Sequence, residues 1–169
     1  MTTFESRCDT SGLTRRQLLS AAAFTAAVPA AGVARAAGAV LPVAGSLPDE
    51  LNRALAKGQP LVVMVSLKGC PFCEVARNNY LAPMLREGQI EVVQVDMRTS
   101  LPLTDFQGKA LTHEDMVRQW KISIAPTVLF FGKGGVEVAD RLVGGYLPDF
   151  YGAYLDARLA QARQRVARG

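Results

Sequence analysis

The chain has 169 residues, enough for one domain with an appendage. Hydrophobic residues make up 49% and charged residues 20%, the balance of an ordinary globule with a buried core and not of a disordered or fibrous chain. The formal charge of +4 is inflated by the first 36 residues; residues 37–169 carry 15 basic against 13 acidic side chains, and no basic block interleaved with aromatics remains, which argues against nucleic acid as a partner.

Residues 1–36 read as an address. Thr14-Arg15-Arg16 forms a positive start, Leu18 to Val33 is an uncharged, Ala-rich apolar stretch, and Ala34-Arg35-Ala36 places small residues where a signal peptidase reads. Thr-Arg-Arg-Gln-Leu-Leu resembles the twin-arginine export signal, with the general secretory route as the alternative. The apolar stretch is too short and too Ala-rich for a comfortable membrane span, so no stable span is expected after cleavage near Ala36. Cys8 precedes the arginines and would leave with the signal. The expected location is the periplasm, an oxidising compartment, with Cys70 and Cys73 as the two cysteines of the mature chain.

Residues 37–47 are rich in Ala, Gly, Pro and Val and read as a linker to a domain over 48–165. Pro48 to Lys57 has Leu51 and Leu55 one helical turn apart and ends at Gly58, the pattern of a short amphipathic helix. Leu61 to Leu67 is a near-continuous apolar run, suited to a central strand buried on both faces. Pro71 to about Arg86 reads as a helix with a bend at Pro83. Ile90 to Met97 is a second strand. Arg98 to Leu111 has no regular period and reads as a surface insertion. Thr112-His113-Glu114-Asp115 resembles a capped start for a helix to about Trp120. Thr127 to Gly132 and Val136 to Leu142 are strands joined by Gly134-Gly135. Asp149 is placed to cap a final helix through about Arg165, with Phe150, Tyr154 and Leu159 among its apolar residues and the arginines at its end solvated.

Cys70 and Cys73 can bind metal, staple the fold or exchange electrons. A structural zinc site needs four ligands; this pair supplies two and His113 is the only histidine, so no metal is expected. A disulfide across two intervening residues closes so small a ring that it constrains the unfolded chain little. Redox exchange fits the placement. Cys70 stands between a strand and a helix, where unpaired N–H groups and the helix dipole favour a thiolate. Pro71 suits the first turn because its missing N–H has no intrahelical partner to lose. Cys73 follows one turn along the same face. Cys70 would attack a partner's disulfide and Cys73 would resolve the mixed disulfide.

"KGCPFC", "IAPTVLFFGKGG" and "GGYLPDFYGAYL" together resemble the thioredoxin superfamily, most closely the bacterial periplasmic thioredoxin-like proteins of the sulfur-oxidation SoxW type. The likeness spans about Leu47 to Leu159. It implies an α/β thioredoxin fold, a central mixed four-stranded sheet flanked by helices. It implies Cys70 as nucleophile, Cys73 as resolving thiol and Pro126 as a cis-proline beside them, with Ala125 pairing its backbone to a substrate strand. Phe72 and Thr127 join Ala125 as expected substrate contacts, Phe72 because the centre of an exposed motif is placed to dock a partner. Cytosolic thioredoxins have Trp-Cys-Gly-Pro-Cys and a buried Asp six residues before the first cysteine; here Lys68-Gly69 precede Cys70, Pro71-Phe72 separate the pair and Met64 takes the Asp position. Proton acceptance from the resolving thiol is thereby left to Glu74 or water, and Lys68 is available to favour the Cys70 thiolate.

The resulting expectation is an exported thiol–disulfide oxidoreductase without cofactor. It reduces protein disulfides in the periplasm, in sulfur oxidation or cytochrome c maturation, and draws electrons from an upstream membrane donor. The alternatives are a thiol oxidase or isomerase, or a thioredoxin-like metallochaperone or binding module.

Overall fold

The structure, a computed structural model, describes residues 40–145 and 148–169. The expected export signal over residues 1–36 and Cys8 lie outside the described residues.

In chain order, helix α1 (Leu47–Ala56) leads to strand β1 (Leu61–Ser66), and the segment after the cysteine motif runs as α2 (Pro71–Val75), a π-helical stretch (Ala76–Leu81) and α3 (Ala82–Arg86). Strands β2 (Glu91–Asp96), β3 (Pro102–Thr104) and β4 (Ala110–Thr112) precede α4 (His113–Gln119). Strands β5 (Thr127–Gly132), β6 (Val136–Glu137) and β7 (Leu142–Val143) precede α5 (Pro148–Arg168). The widened π turn stands just before Pro83, whose missing N–H removes one bond from the helical ladder, so the expected bend is taken up as a local change of winding.

The expected mixed sheet forms, with four positions across. β1 pairs in parallel with β2 and antiparallel with β5. β6 and β7 share the fourth position, pairing with the two ends of β5. A single strand was expected over Val136–Leu142. It breaks because Arg141 turns back to donate to Glu137 and to the Trp120 carbonyl. Residues four apart in an extended strand stand about 13 Å from each other, too far for that ion pair.

All six residues of β1 are buried, because both sheet faces are covered. Val62 and Met64 face the α2–α3 segment and α5, in a core with Cys73, Val128, Phe130 and Leu155. Leu61, Val63 and Val65 face α1 and α4, in a core with Leu51, Met116, Leu129 and Phe131. Each such side chain contributes about 1.5–3 kcal/mol on leaving water. The continuous apolar run is thus a strand inside an α/β/α sandwich.

Three segments depart from expectation. Residues 41–46, expected as linker, lie along the free edge of β2: Gln94 N–H donates to Pro42 O at 2.7 Å, Ala44 N–H donates to Gln94 O at 2.9 Å, and Leu41 is buried. The insertion over 98–111 contains the β3–β4 hairpin, with Leu103 in the core and the buried Asp105 accepting from the backbone of Gln107 and Lys109. In α5 the buried stripe is Tyr151, Leu155, Leu159 and Ala162, while Phe150 and Tyr154 are exposed; the side chain of Asp149, the expected cap, is outside what is described. The α4 start matches its pattern, Thr112 and Asp115 making both bonds of a capping box.

Candidate active site

Helix α2 begins where β1 ends, and the turn between them positions Cys70. Gly69 takes φ +75°, a left-handed conformation that side-chain-bearing residues adopt at a cost. Cys70 N–H donates to Leu67 O, and Cys70 is then the N-cap of α2, with Pro71 in the first turn. Its sulfur does the work of a cap, accepting the Cys73 backbone N–H at 3.3 Å. Both thiols are free; Cys70 is half-buried and Cys73 wholly buried.

Cys73 lies in the core that Met64, Val128 and Tyr151 build. Burial pushes its thiol from an ordinary 9.0 up to about 11, and the neighbouring Cys70 thiol adds to the rise. The Leu67 backbone and the Ser66 hydroxyl pull the other way, by less. Tyr151, from α5, is buried, and its hydroxyl has no hydrogen-bond partner among the described residues. Burial, then the nearby Cys73 and Tyr80, hold that phenol neutral far above its usual range.

The loop before β5 closes the site from the other side. The Ala125–Pro126 peptide is cis, and the Cys70 thiol stands 3.8 Å from the Ala125 carbonyl oxygen as its donor. Pro126 O accepts from Gly144 N–H at 2.7 Å, which ties the loop to the end of β7. A Cβ on the next residue, Gly145, would stand 3.2 Å from Phe72 Cβ, so the chain passes close over Phe72. Phe72 nevertheless keeps 47% of its surface, and Ile124 across the loop is also exposed.

The structure therefore brings Cys70, Cys73, Ala125 and Pro126 together, with Phe72 at the rim. Thr127 was expected among the substrate contacts. Its side chain is buried and donates to Ile124 O at 2.7 Å, so it shapes the loop from inside. Glu74 and Lys68 are exposed on a neighbouring cleft of about 450 Å³. Among the described residues, no three His, Cys, Asp or Glu side chains gather as a metal site.

Two groups escaped sequence reasoning. His113 is fully buried: Nδ1 accepts from Asp96 N–H and Nε2 donates to Ala44 O, both at 2.9 Å, so it is a neutral clamp between β2 and the 41–46 edge segment. Arg77, whose Nη2 donates to Ser66 Oγ at 3.0 Å and Nε to Gln94 Oε1 at 2.9 Å, carried no motif, and neither did Ser66. The only sequence signal for Ser66 is a lone hydroxyl closing an apolar strand.

Residues 47–159 match the family model of the thioredoxin-like domain. A thioredoxin from Thermus thermophilus is 22% identical, covering 75% of this chain and 91% of its own, with a TM-score of 0.49. The periplasmic thioredoxin SoxS from Paracoccus pantotrophus is 22% identical, covering 62% and 99%, with a TM-score of 0.42. Thioredoxin O2 from Arabidopsis thaliana is 20% identical, covering 68% and 93%, with a TM-score of 0.43. No curated protein matches the sequence. The chain belongs to the thioredoxin-like family, and it is a thiol–disulfide oxidoreductase.

Proposed function

We propose that Cys70 and Cys73 are the redox pair and that the protein reduces disulfides of exported proteins in the periplasm. The observation that carries this reading is the asymmetry of the pair: Cys70 at the accessible end of α2, beside the Ala125 carbonyl, and Cys73 wholly buried behind it. The Cys70 thiolate attacks a sulfur of the partner disulfide. One S–S bond forms, the partner's S–S bond breaks, and the leaving sulfur takes up a proton. Cys73 then attacks the Cys70 sulfur and releases the second partner thiol. Two electrons pass to the partner, and the pair ends as a disulfide. A dithiol donor upstream, at the membrane, recharges it. The Ala125 backbone pairs with the partner's extended chain, and Phe72 supports docking.

Periplasmic residence rests on Arg15-Arg16, the uncharged alanine stretch and Ala34-Arg35-Ala36. Sulfur oxidation and cytochrome c maturation are the settings that the SoxW-type resemblance suggests. The test is capture in the native host. Cys73→Ser should hold exported proteins as mixed disulfides through Cys70, and Arg15→Lys with Arg16→Lys should abolish their capture by stopping export. Capture of cytosolic proteins alone would sink the periplasmic reading.

A further inference from the structure

Ala125, whose backbone is read above as pairing with the partner's chain, stands in the loop over residues 121–126 that joins α4 to β5. Packing does little to hold this loop. Lys121, Ser123 and Ile124 are exposed, and Ile124, Thr127, Arg141 and Val143 wall a hollow of about 90 Å³ between the loop and β7. The loop's shape therefore depends on hydrogen bonds at its two ends.

The far end is tied to the sheet. Thr127 pairs with Val143, Gly144 N–H donates to Pro126 O at 2.7 Å, and the Thr127 hydroxyl donates to Ile124 O at 2.7 Å. The near end is the last turn of α4. There Lys121 N–H donates to Arg118 O at 3.0 Å and Ile122 N–H donates to Val117 O at 3.1 Å, the pair of bonds that closes a helix on a left-handed residue. Lys121 is that residue, at φ +55°, a conformation that glycine takes freely and a side chain resists. Such strain persists only where the surroundings hold it. The two closing bonds do not reach the Trp120 carbonyl, and Arg141 does. Its Nη1 donates to Trp120 O at 2.6 Å, while Nε donates to Glu137 Oε2 at 2.9 Å and Nη2 to Glu137 Oε1. Bonding to both carboxylate oxygens fixes the plane of the guanidinium. The cation also faces the negative end of the α4 dipole. One short segment, residues 141–144, thus holds the loop at both ends.

We propose that Arg141 is a positioning residue for partner binding: anchored on Glu137, it fixes the Trp120 carbonyl and so keeps the Ala125 backbone beside the Cys70 sulfur. Arg141 bonds to neither thiol, so its effect falls on binding and not on sulfur exchange. Without it, Lys121 is free to leave its left-handed conformation, and the span from Lys121 to Ala125 loses one of its two ties. A partner's chain must then order the loop as it binds. A small disulfide, which pairs with no backbone, is spared. The inference rests on the reading that Ala125 pairs with the partner's chain.

The test compares insulin with a small aliphatic disulfide as substrates of the full chain, in a Cys8→Ser background with dithiothreitol as reductant. Arg141→Gln should raise KM for insulin about tenfold and keep kcat within about twofold, as expected for losing a hydrogen bond from a charged group. The small disulfide should react at the parent rate. Glu137→Gln keeps the arginine and weakens its anchor, so it should raise KM for insulin by a smaller factor; it decides the matter if Arg141→Gln does not fold. Hydrogen exchange should show the Lys121 and Ile122 amides losing protection in either variant while Gly144 keeps its own. A parent KM for insulin overturns the proposal. So does equal slowing with both substrates, or equal loss of protection at both ends of the loop, each of which marks a general structural role. In the mixed disulfide of Cys73→Ser with insulin, the Ala125 amide should gain protection. No gain there overturns the reading of Ala125 itself, whereas a gain together with a parent KM in the variants overturns only the role of Arg141.

Discussion

The backbone N–H of Cys73 donates to the Cys70 sulfur at 3.3 Å, so the Cys70 side chain caps the helix that carries Cys73. The relation is one-sided. Cys70 gains a donor at the helix start, while the Cys73 sulfur is enclosed by the core and its thiol is pushed up to about 11.

Alkylation should follow that order. At a pH three units below 11, the thiolate fraction of Cys73 is about one in a thousand. Its burial slows access further. Iodoacetamide on the reduced protein should label Cys70 and leave Cys73 untouched until the chain is unfolded. Peptide mapping by mass spectrometry reads this directly; equal labelling of the two in the native state would contradict the assigned order.

The same shift makes stability depend on pH. The folded pKa of Cys73 is raised, so its contribution is complete below the ordinary value of 9.0 and is lost as pH climbs through about 11. The reduced protein should lose about 2 kcal/mol across that window. The oxidised protein, whose Cys73 has no proton to lose, should lose less, keeping only the share that the buried Tyr151 phenol contributes in both forms above its ordinary 10.0. Urea unfolding of both forms across the alkaline range checks this, and parallel losses would remove Cys73 as the cause.

Glu50 gives the acid-side counterpart. It is buried in α1, one oxygen accepting from Gly45 N–H and the other without a partner among the described residues, and burial raises its pKa above the ordinary 4.5. A raised carboxyl stabilises the fold while protonated and loses that contribution as pH rises through its folded pKa. Glu50→Gln should therefore raise the melting temperature at neutral pH and give no gain well below the ordinary carboxylate range. A gain of equal size at both would point away from ionisation.

Much of this site is legible in the sequence, and the reason is local. Cys70 follows an apolar run and precedes Pro71, so its place between strand and helix can be read from neighbours in the chain. Ala125-Pro126 is legible only through family resemblance, because nothing local brings it to residues 55 positions earlier. The β3–β4 hairpin is not legible, since strands of three residues hold no measurable period and the fold is set by Asp105 reaching the Gln107 and Lys109 amides. The pairing of residues 41–46 is hidden for a different reason. Proline and glycine there mimic a linker, while the bonds depend on a free edge that exists only after β2 has formed. Ser66 and Arg77 are invisible as a pair because the β1–β2 register aligns their partners.

His113 illustrates the cost of such hidden clamps. Replacing it by alanine leaves Asp96 N–H and Ala44 O without partners in the interior and opens a cavity. The loss should be about 2–4 kcal/mol. Hydrogen exchange should show the 41–46 segment and the β3–β4 hairpin losing protection first. Unchanged protection there would mean that His113 is not what holds them.

Phe72 bears on partner choice. With 47% of its surface exposed beside the Cys70–Ala125 gap, Phe72→Ala should slow exchange with a protein disulfide severalfold, the loss of an aromatic contact. A small aliphatic disulfide should react at the parent rate. Equal slowing with both substrates would place Phe72 in support of the thiols and not in docking.

The most direct measurement is insulin reduction by the full chain with Cys70→Ser and Cys73→Ser compared side by side. Cys70→Ser should be inert and form no adduct. Cys73→Ser should fail to turn over and accumulate a one-to-one mixed disulfide that maps to Cys70. Turnover surviving in Cys70→Ser, or an adduct mapping to Cys73 or Cys8, would contradict the account.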